Sequence, residues 1–240
     1  MGADTLTGLT GGDTLDGGAG IDRLVGGADS NIYIVTTGDV VVEGLNQGQD
    51  TVIATDGTAH TLAANVEVLV LQGSTLVTGT GNGLANTLVG NALDNVLNGG
   101  AGDDSLSGGI GIDTSVGGAG ADTMTGCNGA DRFRLLSAAD RTVAASDRIN
   151  EFSVVGLDRV DLSFVDANAL TPANDAFAFI GTAAFGAAGA AGAASAGQLR
   201  VTAASPGVWR AQGDNNGDGV ADLQILIAGP GVANAGWFIL

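Results

Sequence analysis

The sequence predicts an all-β fold: a parallel β-roll, a right-handed solenoid of nonapeptide repeats, closed by a C-terminal antiparallel β cap. Three observations carry this expectation. Between Gly81 and Arg134 the chain repeats every nine residues six times over, as GNGLANTLV, GNALDNVLN, GGAGDDSLS, GGIGIDTSV, GGAGADTMT and GCNGADRFR. The first six positions of each unit are turn chemistry and the last three are strand chemistry. After Arg134 the beat stops and the composition shifts to aromatics and paired apolar residues, as in DRINEF, GLDRVDLSFVD, GVWRAQG and ADLQILIAG. A nine-residue unit cannot bury its eighth residue alone and must stack on its neighbours. A last coil left bare would offer an open sheet edge, which a cap covers.

Each segment has its own warrant. Residues 1–34 form a first repeat block, with units starting at Gly8, Gly17 and Gly26 and a half-unit before them. Its eighth positions, Leu6, Leu15, Leu24 and Tyr33, are large and apolar, as residues pointing into a narrow roll must be. Residues 35–80 alternate short β-branched runs with turn clusters, and Gly26 to Gly81 spans 55 residues, one more than six periods. This segment is expected to continue the roll with wider turns. Residues 81–134 are the second repeat block, and residues 135–240 the cap. Within the cap, Ala183–Gly197 (AAFGAAGAAGAASAG) has nothing to anchor a core and reads as a flexible loop between strands, with a helix as the alternative.

Charge narrows the chemistry. The chain has 240 residues and a net charge of -18, with no lysine and eight arginines. Of 26 acidic residues only Glu43, Glu67 and Glu151 are glutamate. Short carboxylates in glycine-rich turns suit hard, oxygen-seeking cations such as calcium. Nucleic acid is excluded as a partner, since the field repels phosphate. Mean hydropathy is +0.30, yet no run of about 18 large apolar residues occurs, so no transmembrane segment is expected. The single cysteine, Cys127, forms no internal disulfide. The first residues show neither a basic region nor an apolar one, so no cleavable leader is expected.

Calcium takes six to eight oxygens, from carboxylates and backbone carbonyls. Glycines at positive φ turn carbonyls toward one point, and the sixth-position aspartate adds charge. When two units complete a turn of the roll, residues 18 apart stack about 4.8 Å apart. Two full pairs result, Asp104 with Asp122 and Asp113 with Asp131. Asp4 pairs with Asp22, and Asp13 with Asn31. Asn86 and Asn95 face Asp104 and Asp113, leaving one carboxylate per site, and the asparagines are expected to ladder through their side chains. Gly100, Gly102, Gly109, Gly111, Gly118, Gly120 and Gly129 complete the expected set of several calcium sites, while Cys127 takes the second glycine's place in its unit.

These repeats resemble the calcium-binding repeats of the RTX, or haemolysin-type, secreted proteins. The strings Asp147–Phe152, Leu157–Ser163, Ala196–Val201 and Asp214–Leu223 are similar to the C-terminal region of serralysin-type metalloproteases and other type I secretion substrates. The resemblance implies secretion to the extracellular space through an ABC exporter that reads an uncleaved C-terminal signal.

No catalytic set is visible. The chain has one histidine, His60, so the zinc helix of a serralysin cannot be assembled. His60 reads as a turn or strand-surface residue. Asp214, Asn216, Asp218 and Asp222 match four positions of an EF-hand loop, but Ile225 stands where its glutamate would be, and a β-hairpin turn is the competing reading. The chain is therefore expected to be a non-enzymatic, secreted module that folds on extracellular calcium. The alternatives are the non-catalytic C-terminal part of a larger secreted metalloprotease, lipase or epimerase, or a cell-surface solenoid touching polysaccharide.

Overall fold

In the computed structural model, residues 2–45, 47–75, 77–136, 145–167, 169, 175–186, 196–231 and 233–240 are described. The first block supplies β1 (Thr5–Leu9), β2 (Thr14–Asp16), β3 (Arg23–Gly27) and β4 (Ile32–Val35). The middle segment supplies β5 (Val40–Val42), β6 (Thr51–Ala54), β7 (Ala59–Thr61), β8 (Val68–Leu71) and β9 (Thr78–Thr80). The second block gives β10 (Thr87–Val89), β11 (Val96–Ala101), β12 (Ser105–Ile110), β13 (Thr114–Ala119), β14 (Thr123–Asn128) and β15 (Arg132–Arg134). Beyond it come β16 (Asp147–Asn150), β17 (Arg159–Asp161), β18 (Ala178–Phe179), β19 (Gln198–Ser205), β20 (Val208–Asp214) and β21 (Leu223–Ala228). A 3-10 turn, Ala235–Trp237, precedes β22 (Phe238–Ile239).

Even-numbered strands from β2 to β16 pair in parallel to form one face of the roll, and odd-numbered strands form the other. The register is set by the eighth residues. Leu15, Tyr33, Val52, Leu69, Leu88, Leu106, Met124 and Ile149 lie opposite one another in one continuous row, and all are buried. Sliding any strand by one residue would turn this row to solvent, so the apolar periodicity and the pairing enforce each other. The middle segment absorbs its extra residue in its turns. Ile32, Thr51, Val68 and Thr87 are register partners at separations of 19, 17 and 19 residues.

The second face pairs as β1-β3-β5 and then as β7-β9-β11-β13-β15-β17-β22. Where the pairing lapses between β5 and β7, a cavity of about 170 Å3 is lined by Asp39, Val40, Val41, His60, Thr61 and Ala63. His60 is on β7 opposite Gly79, which is opposite Leu97. It thus occupies a core-facing register position and is half-buried, where a strand-surface or turn site was expected; burial pushes its imidazole below the ordinary value.

The stack does not end at Arg134, where the nonapeptide beat does. β16 pairs in parallel with β14, and β17 with β15. The cap's antiparallel part is the meander β19-β20-β21, which joins the roll through the parallel pair β21-β16. Longer turns hide the period there, while each strand keeps its inward apolar residue. Phe133, Phe152 and Trp237 close the core end, with ring centroids 6.2 and 5.0 Å apart. Residues 187–195 of the expected Ala183–Gly197 loop lie outside the described residues. No helix of the described residues is long and apolar enough to cross a membrane.

Candidate metal centre

Every sixth-position residue stands just before a strand, so the turns line the two edges of the roll. Along one edge each backbone N–H donates to the side chain one turn further on. Asp13 donates to Asn31 Oδ1 at 2.9 Å, Asn31 to Asp50 Oδ1 at 2.8 Å, and Asp50 to Glu67 Oε2 at 2.8 Å. Asn86 donates to Asp104 Oδ1 at 2.7 Å, Asp104 to Asp122 Oδ1 at 2.9 Å, and Asp122 to Asp147 Oδ1 at 3.1 Å. The other edge repeats the motif. Asp4 donates to Asp22 at 2.7 Å and Asp22 to Asp39 at 2.9 Å. Asn95 donates to Asp113 at 2.7 Å, Asp113 to Asp131 at 2.9 Å, and Asp131 to Asp158 at 3.0 Å.

The pairs Asp104/Asp122, Asp113/Asp131, Asp4/Asp22 and Asp13/Asn31 are therefore brought together. The Oδ1 atoms of Asn86 and Asn95 accept from the N–H groups of Asn82 and Asn91 within the same turn.

One carboxylate oxygen serves the backbone and the other is left over. The Oδ2 atoms of Asp13, Asp22, Asp50, Asp104, Asp113 and Asp131 are buried without a hydrogen-bond partner. Such burial costs free energy unless a proton or a cation compensates it. A Cβ placed on Gly99 would lie 2.2 Å from Asp104 Oδ2 and 2.5 Å from Gly117 O, and one on Gly8 would lie 2.4 Å from Asp13 Oδ2. Only a glycine leaves that cradle open. Gly100, Gly109 and Gly118 hold φ of +105 to +107, and Gly102, Gly111, Gly120 and Gly129 hold +112 to +151. A Cβ on Gly120 would meet Gly102 O at 2.0 Å, so the backbone carbonyls of successive turns also converge. Cys127 adopts φ +71 in the second glycine's place.

Electrostatics agree with the geometry. Burial, reinforced by the charges of Asp122 and Asp103, pushes Asp104 up to about 7. Burial with Asp131 and Asp94 pushes Asp113 up to about 6, and burial with Glu43 and Glu67 pushes Asp50 up to about 6. Asp131 and Asp158 are raised by burial as well. Among the described residues no three Cys, His, Asp or Glu side chains converge on one point. The donors the turns do offer are carboxylate oxygens and converging backbone carbonyls, an all-oxygen set of the kind calcium takes.

Five members of the two edges escape the nonapeptide count: Asp39, Asp50, Glu67, Asp147 and Asp158. A signal for two of them exists in the tripeptide Asp-Arg-apolar, which recurs at Asp22, Asp131, Asp147 and Asp158. The EF-hand-like stretch behaves as a hairpin turn between β20 and β21. Asp214 accepts from the N–H groups of Gly217 and Gly219, and Asp222 from Asn215 N–H and Asn216 Nδ2.

Two families match this architecture. The RTX calcium-binding nonapeptide repeat, in four copies, matches residues 1–33, and the Peptidase M10 serralysin C terminal matches residues 86–196. The chain carries RTX repeats and a serralysin-like C-terminal region. No curated protein matches it. Among solved structures, this RTX chain is similar to the AlgE6R2 subunit of the Azotobacter vinelandii mannuronan C5-epimerase, at 27% identity and TM-score 0.46, over 68% of this chain and 91% of that one. It is also similar to the AlgE6R3 subunit of that enzyme, at 26% identity and TM-score 0.42, over 60% and 71%. RTX repeats and serralysin C-terminal regions belong to calcium-binding β-roll modules of secreted proteins.

Proposed function

We propose that this RTX chain is a secreted module, exported by a type I ABC machinery, whose roll closes when extracellular calcium fills its turns. The observation that carries the reading is the set of buried Oδ2 atoms with no partner, of which those of Asp13, Asp22, Asp104, Asp113 and Asp131 each lie beside a glycine that leaves room. Asp104 with Asp122 and Asp113 with Asp131 would hold the best-formed sites, joined by carbonyls from the glycines at 100, 102, 109, 111, 118, 120 and 129. Asp4, Asp13 and Asp22 would serve weaker sites in the first block. The bound ion supplies positive charge to oxygens that the fold has stripped of water. The chain itself positions Oδ1 through the backbone N–H, keeps Oδ2 dry and excludes side chains from the cradle.

In a cytosol poor in calcium, stacked aspartates repel one another and glycine-rich turns retain their chain entropy, so the roll stays open. Outside, calcium near the millimolar range fills such sites and adds its binding free energy to folding. Circular dichroism during a calcium titration tests this: β signal should rise with the ion. Full β signal in excess chelator, unmoved by calcium, would sink the proposal. Asp104→Asn keeps the acceptor for Asn86 N–H but removes the charge, so it should raise the calcium midpoint about tenfold.

The second reading is that of a C-terminal, non-catalytic part of a larger secreted enzyme. The match to the C terminal of a peptidase family favours it. A catalytic region encoded in frame upstream of Met1 would establish it, and a stop codon there would dismiss it.

A further inference from the structure

The ion cradle depends on a glycine at the first place of each unit, and the middle coils do without one. Two places beyond the core row stand Gly90, Gly108 and Gly126 after Leu88, Leu106 and Met124, but Val35, Ala54 and Leu71 after Tyr33, Val52 and Leu69. Val35 is the register partner of Ala54, and Ala54 that of Leu71. On the other face Leu62, whose N–H donates to Thr80 O at 2.9 Å, holds the place that Gly81 and Gly99 hold one and two turns later. All four side chains are buried. They put apolar packing where the repeat blocks keep a glycine beside a bare carboxylate oxygen.

Amide hydrogens take the cation's part in the same coils. Asn82 Nδ2 donates to Ala63 O at 2.8 Å and to Val66 O at 2.7 Å, and Asn86 Nδ2 to Val66 O at 3.1 Å and Glu67 O at 3.3 Å. Asn65 Nδ2 donates to Glu43 O at 3.1 Å. At Gly26, the last cradle of the first block, a Cβ would run into Tyr33 Oη, Glu43 Oε1 and Asn31 Nδ2. Tyr33 Oη and Asn31 Nδ2 both donate to Glu43 Oε1, and Asn31 Nδ2 donates also to Asp29 O at 2.9 Å. A neutral N–H or O–H satisfies an oxygen without an ion. Among the described residues of the middle segment only Asp50 keeps a bare, buried carboxylate oxygen, and Leu45 stands five residues before it, where Gly99 stands before Asp104.

We propose, resting on the calcium reading of the two repeat blocks, that the coils from Asn31 to Asn86 are a calcium-independent island, paired before the ion binds, that fixes the register of the roll. Strict repeats need such a pin. A slip of one whole turn, 18 residues, would leave their apolar row intact, so the blocks alone do not settle which turn pairs with which. The middle coils do settle it, because their partners lie 19, 17 and 19 residues apart and their Tyr33–Glu43 contact occurs once. A solenoid can nucleate at any stable coil and spread to its neighbours, so calcium extends the roll from this island in both directions.

Hydrogen exchange of the full chain, followed segment by segment in chelator and then in calcium, tests this. In chelator the amides of β4, β6 and β8 should exchange about tenfold or more slower than those of β12 and β14, and calcium should then slow β12 and β14. Leu71→Gly, which restores a cradle glycine and empties that part of the core, should abolish the protection in chelator. Tyr33→Phe, which removes one hydroxyl and leaves the packing, should speed exchange of β4 and β6 in chelator about threefold or more. If β4, β6 and β8 exchange in chelator as fast as β12 and β14, and calcium still slows the latter pair, the island is overturned while the calcium reading stands. Slow exchange of all these strands in chelator would overturn both. Chelator protection unchanged in both variants would overturn the role given to these side chains.

Discussion

A buried aspartate at the sixth place of its unit does two things with its two oxygens. In Asp104 and Asp113 one oxygen fixes the preceding turn by accepting from a backbone N–H, and the other sits dry beside a first-position glycine. Burial raises both carboxyls, to about 7 and about 6. A carboxyl raised above its unfolded value near 3.9 favours the folded state while it is protonated. That contribution is lost as pH climbs from about 4 through the folded values. The calcium-free chain should therefore show more β signal at pH 5 than at pH 8 in chelator, and calcium binding should weaken as pH falls from 8 toward 5. The reverse order in chelator would contradict the burial of these groups. Cys127 offers a second test at this scale. Its φ of +71 is a conformation that costs an L-residue about 1–2 kcal/mol and glycine nothing. Cys127→Gly should raise the urea midpoint of the calcium-loaded chain by an amount equivalent to about 1 kcal/mol, and a lowered midpoint would show that the contact of its Sγ with Ser107 Oγ at 3.5 Å outweighs the strain.

Strands were legible in proportion to how strictly they keep the nine-residue period. β10 to β15 follow directly from it, because the eighth residue must face inward in every unit and only one register allows that. β16 and β17 were hidden by turns of irregular length, although Asp147-Arg148-Ile149 and Asp158-Arg159-Val160 copy the local pattern of Asp131-Arg132-Phe133. The acidic residues of the middle segment are hidden for a related reason: Asp39, Asp50 and Glu67 precede strands without the full GGxG run of the repeat, and Asp50 keeps only its fourth-position glycine, Gly48. His60 illustrates the limit from the other side, since nothing in Gly-Thr-Ala-His-Thr announces a core-facing register. The end of the core depends on an aromatic cluster that no periodicity describes. Trp237 is 1% exposed and packs on Phe152 at 5.0 Å and edge-on to Trp209 at 6.3 Å. Trp237→Ala should cost the calcium-loaded state about 3–5 kcal/mol in a urea melt. A loss below about 1 kcal/mol would mean that the cluster collapses around the gap.

For the whole molecule, stability is a property of the ion and the cap together. A net charge of -18 works against compaction, and binding to the folded state alone adds RT ln(1 + [Ca]/Kd) for each site, about 2.7 kcal/mol when calcium is a hundredfold above Kd. That gain is available only if the stack can terminate. β21 covers the outer edge of β16, and β22 that of β17, so residues 223–240 close both faces of the roll at once. A chain ending at Asp222 would keep every nonapeptide aspartate but would bare two parallel edges and the rings of Phe133 and Phe152. Open edges of this kind pair with other chains. Calcium should then drive such a truncated chain into aggregates, seen by light scattering, at concentrations where the full chain stays monomeric. A truncated chain that remains monomeric and gains normal β signal with calcium would show that the repeats close without the last two strands.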